Sequence, residues 1–342
     1  MIDTGVRSKA VICLLAVLVV VMLPLGLLSG SVDIPAGSVF DALCGDGSVN
    51  RVWRVIVVET RLPAILTSAL AGAALAVSGL LMQTCFNNPL AGPTIMGVSS
   101  GASLGAAVAL MAFGGALGVF GRVATAGGAF AGAAVIIFVL LLFSGVVRSS
   151  ELLLIVGILV GYLTSSVISL LNFFATQESV HSFVMWGLGS FSGVASGSLP
   201  LFAGLLLLLL AASAMYVKQL NAMLLGTRYA ENVGVRVRRV RTVLLLLSGG
   251  LTAVVTAWCG PIGFIGLVVP HIARLLTASS NHAVVLPATA LAGALVGLLC
   301  QIVSVGCGIT GGVLPINAIT PVFGVPVILY VLVNRRKLNY FN

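Results

Sequence analysis

A chain of 342 residues with 59% apolar and only 7% charged residues is not an ordinary soluble domain, in which about a quarter of residues carry charge. Its mean hydropathy of +1.20 and its 41 glycines describe a polytopic membrane protein, all-α because no stretch alternates polar and apolar residues as a barrel strand must. The net charge of +9 then reads as Lys and Arg gathered in loops on one side of a membrane, and not as a nucleic-acid surface.

Taken in order, apolar runs of about 16 to 23 residues predict about ten transmembrane helices. They lie near 10–28, 62–82, 94–113, 123–144, 152–171, 199–216, 242–259, 262–277, 284–305 and 317–333. The first run is too long for the apolar region of a signal peptide and reads as a retained span. Placing the N-terminus inside gives the cytoplasmic segments Arg7, Lys9, Arg148, Arg274, Arg335, Arg336, Lys337 and six basic residues between positions 217 and 241. The outer segments keep Arg51, Arg54, Arg61 and Arg122. That asymmetry sets both termini in the cytoplasm of a bacterial cell, with the chain multi-pass in the inner membrane.

Two outer segments are long enough to hold structure. Residues 29–61 carry Asp33, Asp41, Asp46 and Glu59, and residues 172–198 predict a short amphipathic helix with Trp186 at the interface. The central interruption, 217–241, holds Lys218, Arg228, Arg236, Arg238, Arg239 and Arg241 and must lie in water. Of the six cysteines, Cys13, Cys85, Cys259, Cys300 and Cys307 fall in or beside apolar segments, and with Cys44 they show no paired metal spacing, so all six read as small core residues and no metal site is expected.

An internal repeat is visible. Gly72, Ala76, Val77 and Pro93 recur 177 positions later as Gly249, Ala253, Val254 and Pro270. An odd number of spans separates the copies, which predicts two inverted-topology halves, about 61–171 and 241–334, within a single transmembrane domain of residues 1–342. The motif GVSSG at 97–101 matches a hydrolase nucleophile pattern, but no carboxylate inside a span could complete a triad, and Gly101 with Gly105 is better read as close helix packing. No catalytic residue is expected. The same lack of buried acids disfavours an ion-coupled secondary carrier, and no Walker A sequence is present, so nucleotide hydrolysis would belong to a partner.

Five segments carry a family resemblance: RLPAILTSALAGAALAVSGLLMQ (61–83), NNPLAGPTIMGVSSGA (87–102), LGTRYAENVGV (225–235), GPIGFIGLVVPHIARLL (260–276) and LPINAITPVFGVPVILYVL (314–332). Together they cover about a quarter of the chain in family order, and they resemble the permease subunits of type II ABC importers for iron-siderophore, haem and cobalamin. The resemblance implies a second permease subunit, as a homodimer, two cytoplasmic ATPase subunits that hold ATP-Mg, and an extracytoplasmic binding protein. No cofactor is expected on this chain. The cargo implied is an iron chelate such as a ferric siderophore, with haem or cobalamin as the alternative.

By the same resemblance, Gly226, Arg228, Ala230, Glu231, Gly234 and Val235 form the segment that couples to the ATPase, a pair of short helices. Arg61 matches an arginine that docks the binding protein. The second arginine three residues later is replaced here by Ala64, and the acid before the last outer Leu-Pro by Val313, so Arg51 or Arg54 would have to compensate. Pro89, Pro93, Gly97, Gly101, Gly260, Pro261, Pro270 and Pro315 mark broken or closely packed helices along the pathway, which spans two, five, eight and ten are expected to line. His271 in PHIAR is read as a packed histidine beside Arg274 rather than a haem ligand.

Overall fold

A computed structural model describes residues 4–45, 49–94, 96–112, 119–147, 150–306 and 312–333. Arg148, Cys307, Arg335, Arg336 and Lys337, and the side chains of Arg122 and Glu151, lie outside the described residues. The described elements are all helical: α1 (Thr4–Leu28), α2 (Ala36–Cys44), α3 (Arg51–Val55), a π-helical turn Ile56–Arg61 that runs directly into α4 (Leu62–Cys85), α5 (Val98–Ala112), α6 (Val119–Val146), α7 (Ser150–Phe174), α8 (Gln177–Gly187), α9 (Leu199–Ala214), α10 (Val217–Leu224), α11 (Thr227–Asn232), α12 (Val237–Cys259), α13 (Ile265–Thr277), α14 (His282–Gly306) and α15 (Ile316–Val333).

Six of these are long and apolar enough to cross a bilayer alone: α1, α4 with its lead-in, α6, α7, α12 and α14. The remaining predicted spans are α9, which continues into α10 through a 54° bend, and the shorter apolar helices α5, α13 and α15. At 1.5 Å per residue the 13 residues of α13 reach only about 20 Å, against about 30 Å of hydrocarbon. The difference is made up by irregular backbone at 260–264 before α13 and at 86–94 and 96–97 before α5.

Helix α4 is apolar on every side, and from Ala71 to Cys85 every residue is buried, which places it at the centre. Small residues let its neighbours approach to backbone distance. A Cβ on Gly72 would strike the Gly293 carbonyl of α14, one on Gly297 the Ser68 carbonyl, and one on Gly79 the Gly266 carbonyl of α13. The same device joins α5 to α6, where Gly101 and Gly105 face Gly132 and Gly128.

The neighbours of the two halves correspond. Helix α4 packs on α14 as α12 packs on α6, α5 lies on α6 and α7 as α13 lies on α14 and α15, and α4 touches α13 as α12 touches α5. Of the repeated glycines, Gly72 meets α14 and Gly249 meets Ile137 of α6, so the 177-residue offset maps one interface onto the other.

Alternating crossings sort the termini of the helices into two ends. At the near end, Arg7 Nε and Ser8 Oγ of α1 donate to the carbonyls of Leu276 and Thr277 at the close of α13, both at 3.3 Å, and the end of α4 meets the start of α14 and α10. At the far end, Ser190 N donates to Cys259 O (2.8 Å) and Ile316 N to Gly189 O (3.3 Å), which ties the start of α15 and the end of α12 to the turn after α8. Helix α8, capped by Thr176 Oγ1 accepting from Ser179 N (3.3 Å), is the short helix expected within 172–198, with Phe183 stacked on Trp186 at 6.2 Å. Cys85, Cys259 and Cys300 are buried as expected. Cys13 and Cys44 are exposed instead, because they fall on the outward faces of α1 and α2.

Candidate functional site

The polar interruption folds as two short helices at the near end. Helix α10 turns Leu220 and Met223 inward, and α11 turns in Ala230, which has no exposed surface and joins the core with Val237 and Val240. Gly226 and Gly234 bracket α11 with φ of +100° and +86°, a backbone region closed to most side chains, and the space around both is open. Val235 N returns to Ala230 O (2.9 Å) and Gly234 N to Glu231 O (3.0 Å), which closes α11 and presents Glu231, Arg228 and Gly234 outward. Leu225, Tyr229 and Val233 are 65%, 48% and 54% exposed, large apolar side chains interspersed along the segment with the exposed Arg228, Glu231 and Arg236.

At the far end the three predicted docking arginines separate. Arg51 and Arg54 are exposed on α3. Arg61 is 8% exposed, and its guanidinium donates to the carbonyls of Leu27 (2.9 Å), Leu28 (3.2 Å) and Val32, where α1 ends. It satisfies carbonyls that a helix terminus leaves without partners. Beside it lies a cavity of about 120 Å³ whose lining includes Gln301, Ala64 and Val313. The two positions at which the sequence departs from the family pattern therefore face one space.

The predicted breaks fall into two groups. Pro89, Pro93 and Gly97 belong to the irregular stretch after α4. Pro89 O lies 2.8 Å from His271 Nε2, the Pro93 ring packs on Gly266, and Gly97 packs on Gly157 and Gly161 of α7. Gly260, Pro261 and Pro315 lie toward the far end around Asn317, whose Nδ2 donates to Pro261 O (2.6 Å) and Gly187 O (3.1 Å) while Oδ1 accepts from Gly263 N (3.2 Å). Pro270 is buried within α13, and Gly101 serves the α5–α6 contact. Irregular backbone at this depth requires protein partners, and His271 and Asn317 supply them. His271 is buried, as expected of a packed histidine.

Pathway lining differs from expectation at one helix. Helix α4 is enclosed by its own chain and cannot line a passage, whereas α7 and α15 carry large exposed residues, among them Tyr162, Leu163, Phe323 and Tyr330. Sequence reasoning missed Asn317, Gln83 and His282, polar residues at the ends of apolar helices, and Asn221 in the polar helix α10. For the first three, that position is itself the signal, because a polar group there must find a partner.

Residues 16–334 match the FecCD transport family. The chain belongs to that family. This permease is 34% identical over 330 residues, 96% of its own length and 95% of the relative's, to a vitamin B12 import system permease protein, BtuC, of Klebsiella pneumoniae subsp. pneumoniae. It is 36% identical over 291 residues, 84% of each chain, to the protein of the same name in Escherichia coli O9:H4. A solved structure described as an inward-facing conformation of a metal-chelate type ABC transporter superimposes with a TM-score of 0.82 at 30% identity, covering 96% of the permease and 99% of that chain. The FecCD permease is thus a multi-pass, all-helical membrane component of an ABC importer.

Proposed function

We propose that this chain is the inner-membrane subunit through which an ATP-driven importer moves a large metal chelate inward. It would work as a pair with a second copy, with two ATPase subunits at the near end and an extracytoplasmic binding protein at the far end. The near end is then cytoplasmic. The observation that carries this reading is the α10–α11 platform: exposed apolar side chains at Leu225, Tyr229 and Val233 interspersed with exposed charges, on a helix anchored inward by Ala230. Such a surface fits a protein partner, and the ATP-Mg sites belong to that partner because the chain has no Walker A sequence.

The relatives' names favour a corrinoid as the chelate. A ferric siderophore or haem is the second reading, supported by the metal-chelate description of the structural neighbour. Reconstituted complexes offered labelled cobalamin, ferric siderophore and haem should accumulate one of them when ATP is supplied. Continued uptake under a protonophore with ATP maintained is the expected result, and its abolition would instead identify an ion-coupled carrier. The platform is tested by Gly234→Arg and Glu231→Lys, which place a bulky or reversed charge on it. Both should lower uptake and co-purification of the ATPase by about tenfold or more, the scale of a disrupted interface anchor, and wild-type values for both would remove the coupling role.

A further inference from the structure

The platform is wired into the bundle interior by side chains that none of the family motifs above assigns. Asn221, on α10, reaches the first residue of α14. Its Oδ1 lies 2.8 Å from the His282 backbone N and 2.9 Å from His282 Nδ1, and its Nδ2 donates to Asn281 Oδ1 at 2.8 Å. A backbone N–H can only donate, so the atom facing it must be the amide oxygen, and Nδ1 must carry the imidazole proton. In the neutral ring this leaves a lone pair on Nε2, 2.8 Å from the Thr84 hydroxyl at the end of α4 and the nearer of that hydroxyl's two acceptors, Leu80 O lying at 3.0 Å. His282 and Thr84 are 1% and 2% exposed, so these bonds are shielded from competing water.

The neighbouring residue continues the connection. Gln83 Oε1 accepts from Arg274 Nη1 (2.7 Å), and its Nε2 donates to Leu267 O (3.0 Å). His271 Nε2 in turn faces Pro89 O at 2.8 Å, and because a carbonyl only accepts, that nitrogen is the donor. Three polar links therefore lie in series: Asn221–His282–Thr84 joins α10 and the start of α14 to the end of α4, Gln83–Arg274 joins α4 to α13, and His271–Pro89 joins α13 to the irregular stretch before α5. Each link lies between different elements, and the helical backbone of α4 (Gln83 to Thr84) and of α13 (His271 to Arg274) joins one link to the next.

We propose that these links are the relay by which displacement of the platform moves the 86–94 stretch, with Asn221 and His282 as its positioning residues. The inference rests on the platform reading above. Packing alone would let α10 slide on α4 and α14, because apolar contacts are non-directional. A tautomer-fixed histidine held on both ring nitrogens resists sliding and passes the movement on.

The test uses the full complex with its ATPase and binding protein in liposomes and reads ATP hydrolysed per chelate delivered. Asn221→Leu keeps the side-chain size and removes both amide contacts. It should cut uptake about tenfold while ATP hydrolysis stays within about twofold, a shift within the usual range of coupling between sites. Asn221→Asp retains the acceptor oxygen toward His282 and should restore uptake to within about threefold of the unaltered complex. His282→Phe and Asn221→Leu combined should be no worse than either alone, since both cut the same connection. Should Asn221→Leu lower the yield of folded complex, Thr84→Val, isosteric within α4, is read by the same ratio.

An unchanged ratio in Asn221→Leu and Thr84→Val, or additive effects in the double variant, overturns the relay and leaves the platform standing. Loss of ATPase co-purification in Asn221→Leu also overturns it, by making Asn221 a docking residue. Failure of the platform reading itself shows separately, as wild-type behaviour of Gly234→Arg.

Discussion

Three main-chain carbonyls at the end of α1 hold the Arg61 guanidinium, which is nearly buried. Replacing it with Met would keep the aliphatic stem and leave those carbonyls without their donor, at a cost of about 1–3 kcal/mol. The expected result for Arg61→Met is a lower melting temperature of the purified permease, and an unshifted melt would show that water replaces the side chain. Arg51 and Arg54 are exposed, so charge reversal there should spare the melt and weaken binding-protein docking in a salt-dependent way. An unchanged dissociation constant at low salt for Arg51→Glu with Arg54→Glu would leave the α3 face without a docking role. The sequence alone showed that an arginine stands at position 61. It could not show that α1 ends against it, because that contact links residues about thirty positions apart.

At the scale of the helix, the long spans were legible because their composition leaves no alternative in lipid, and α1, α6, α7, α12 and α14 lie where the apolar runs place them. The 217–241 stretch was harder to read. Its composition is that of a loop, yet Leu220, Met223 and Ala230 fall inward at helical spacing and fold it into α10 and α11. Depth is the part that composition cannot supply. Nothing in the run 262–277 says that α13 begins inside the bundle, and nothing in α4 says that it is enclosed and not pathway-lining. That enclosure comes from partners on α13 and α14 that meet it across glycines. A direct consequence concerns Gly79, where a Cβ would collide with the Gly266 carbonyl, and backbone yields less readily than a flexible side chain. Gly79→Val should therefore prevent recovery of a folded permease or lower its stability by several kcal/mol, within the upper range for overpacking. Gly187→Val, at a position with no neighbour within 4 Å of the added Cβ, is the matched control and should be recovered normally.

For the molecule as a whole, the two ends of the bundle make opposite demands, and orientation decides whether they are met. On the proposed function, the platform at the near end needs the compartment that holds ATP, and α2 and α3 at the far end need the compartment that holds the binding protein. Exposed thiols at the two ends can report this. Cys44 is a native exposed cysteine on α2, and Tyr229→Cys would place a second on α11, where the side chain is 48% exposed. Cys13 is exposed on α1 within an apolar span, and Cys13→Ser removes it from the comparison. A membrane-impermeant maleimide applied to intact spheroplasts should label Cys44 and spare position 229. Permeabilised membranes should label both, unless bound ATPase shields the platform, in which case stripping the ATPase should restore the label at 229. Labelling of position 229 from outside intact spheroplasts would put the platform in a compartment without ATP, and no arrangement of docking residues could then preserve ATP-driven import by this chain.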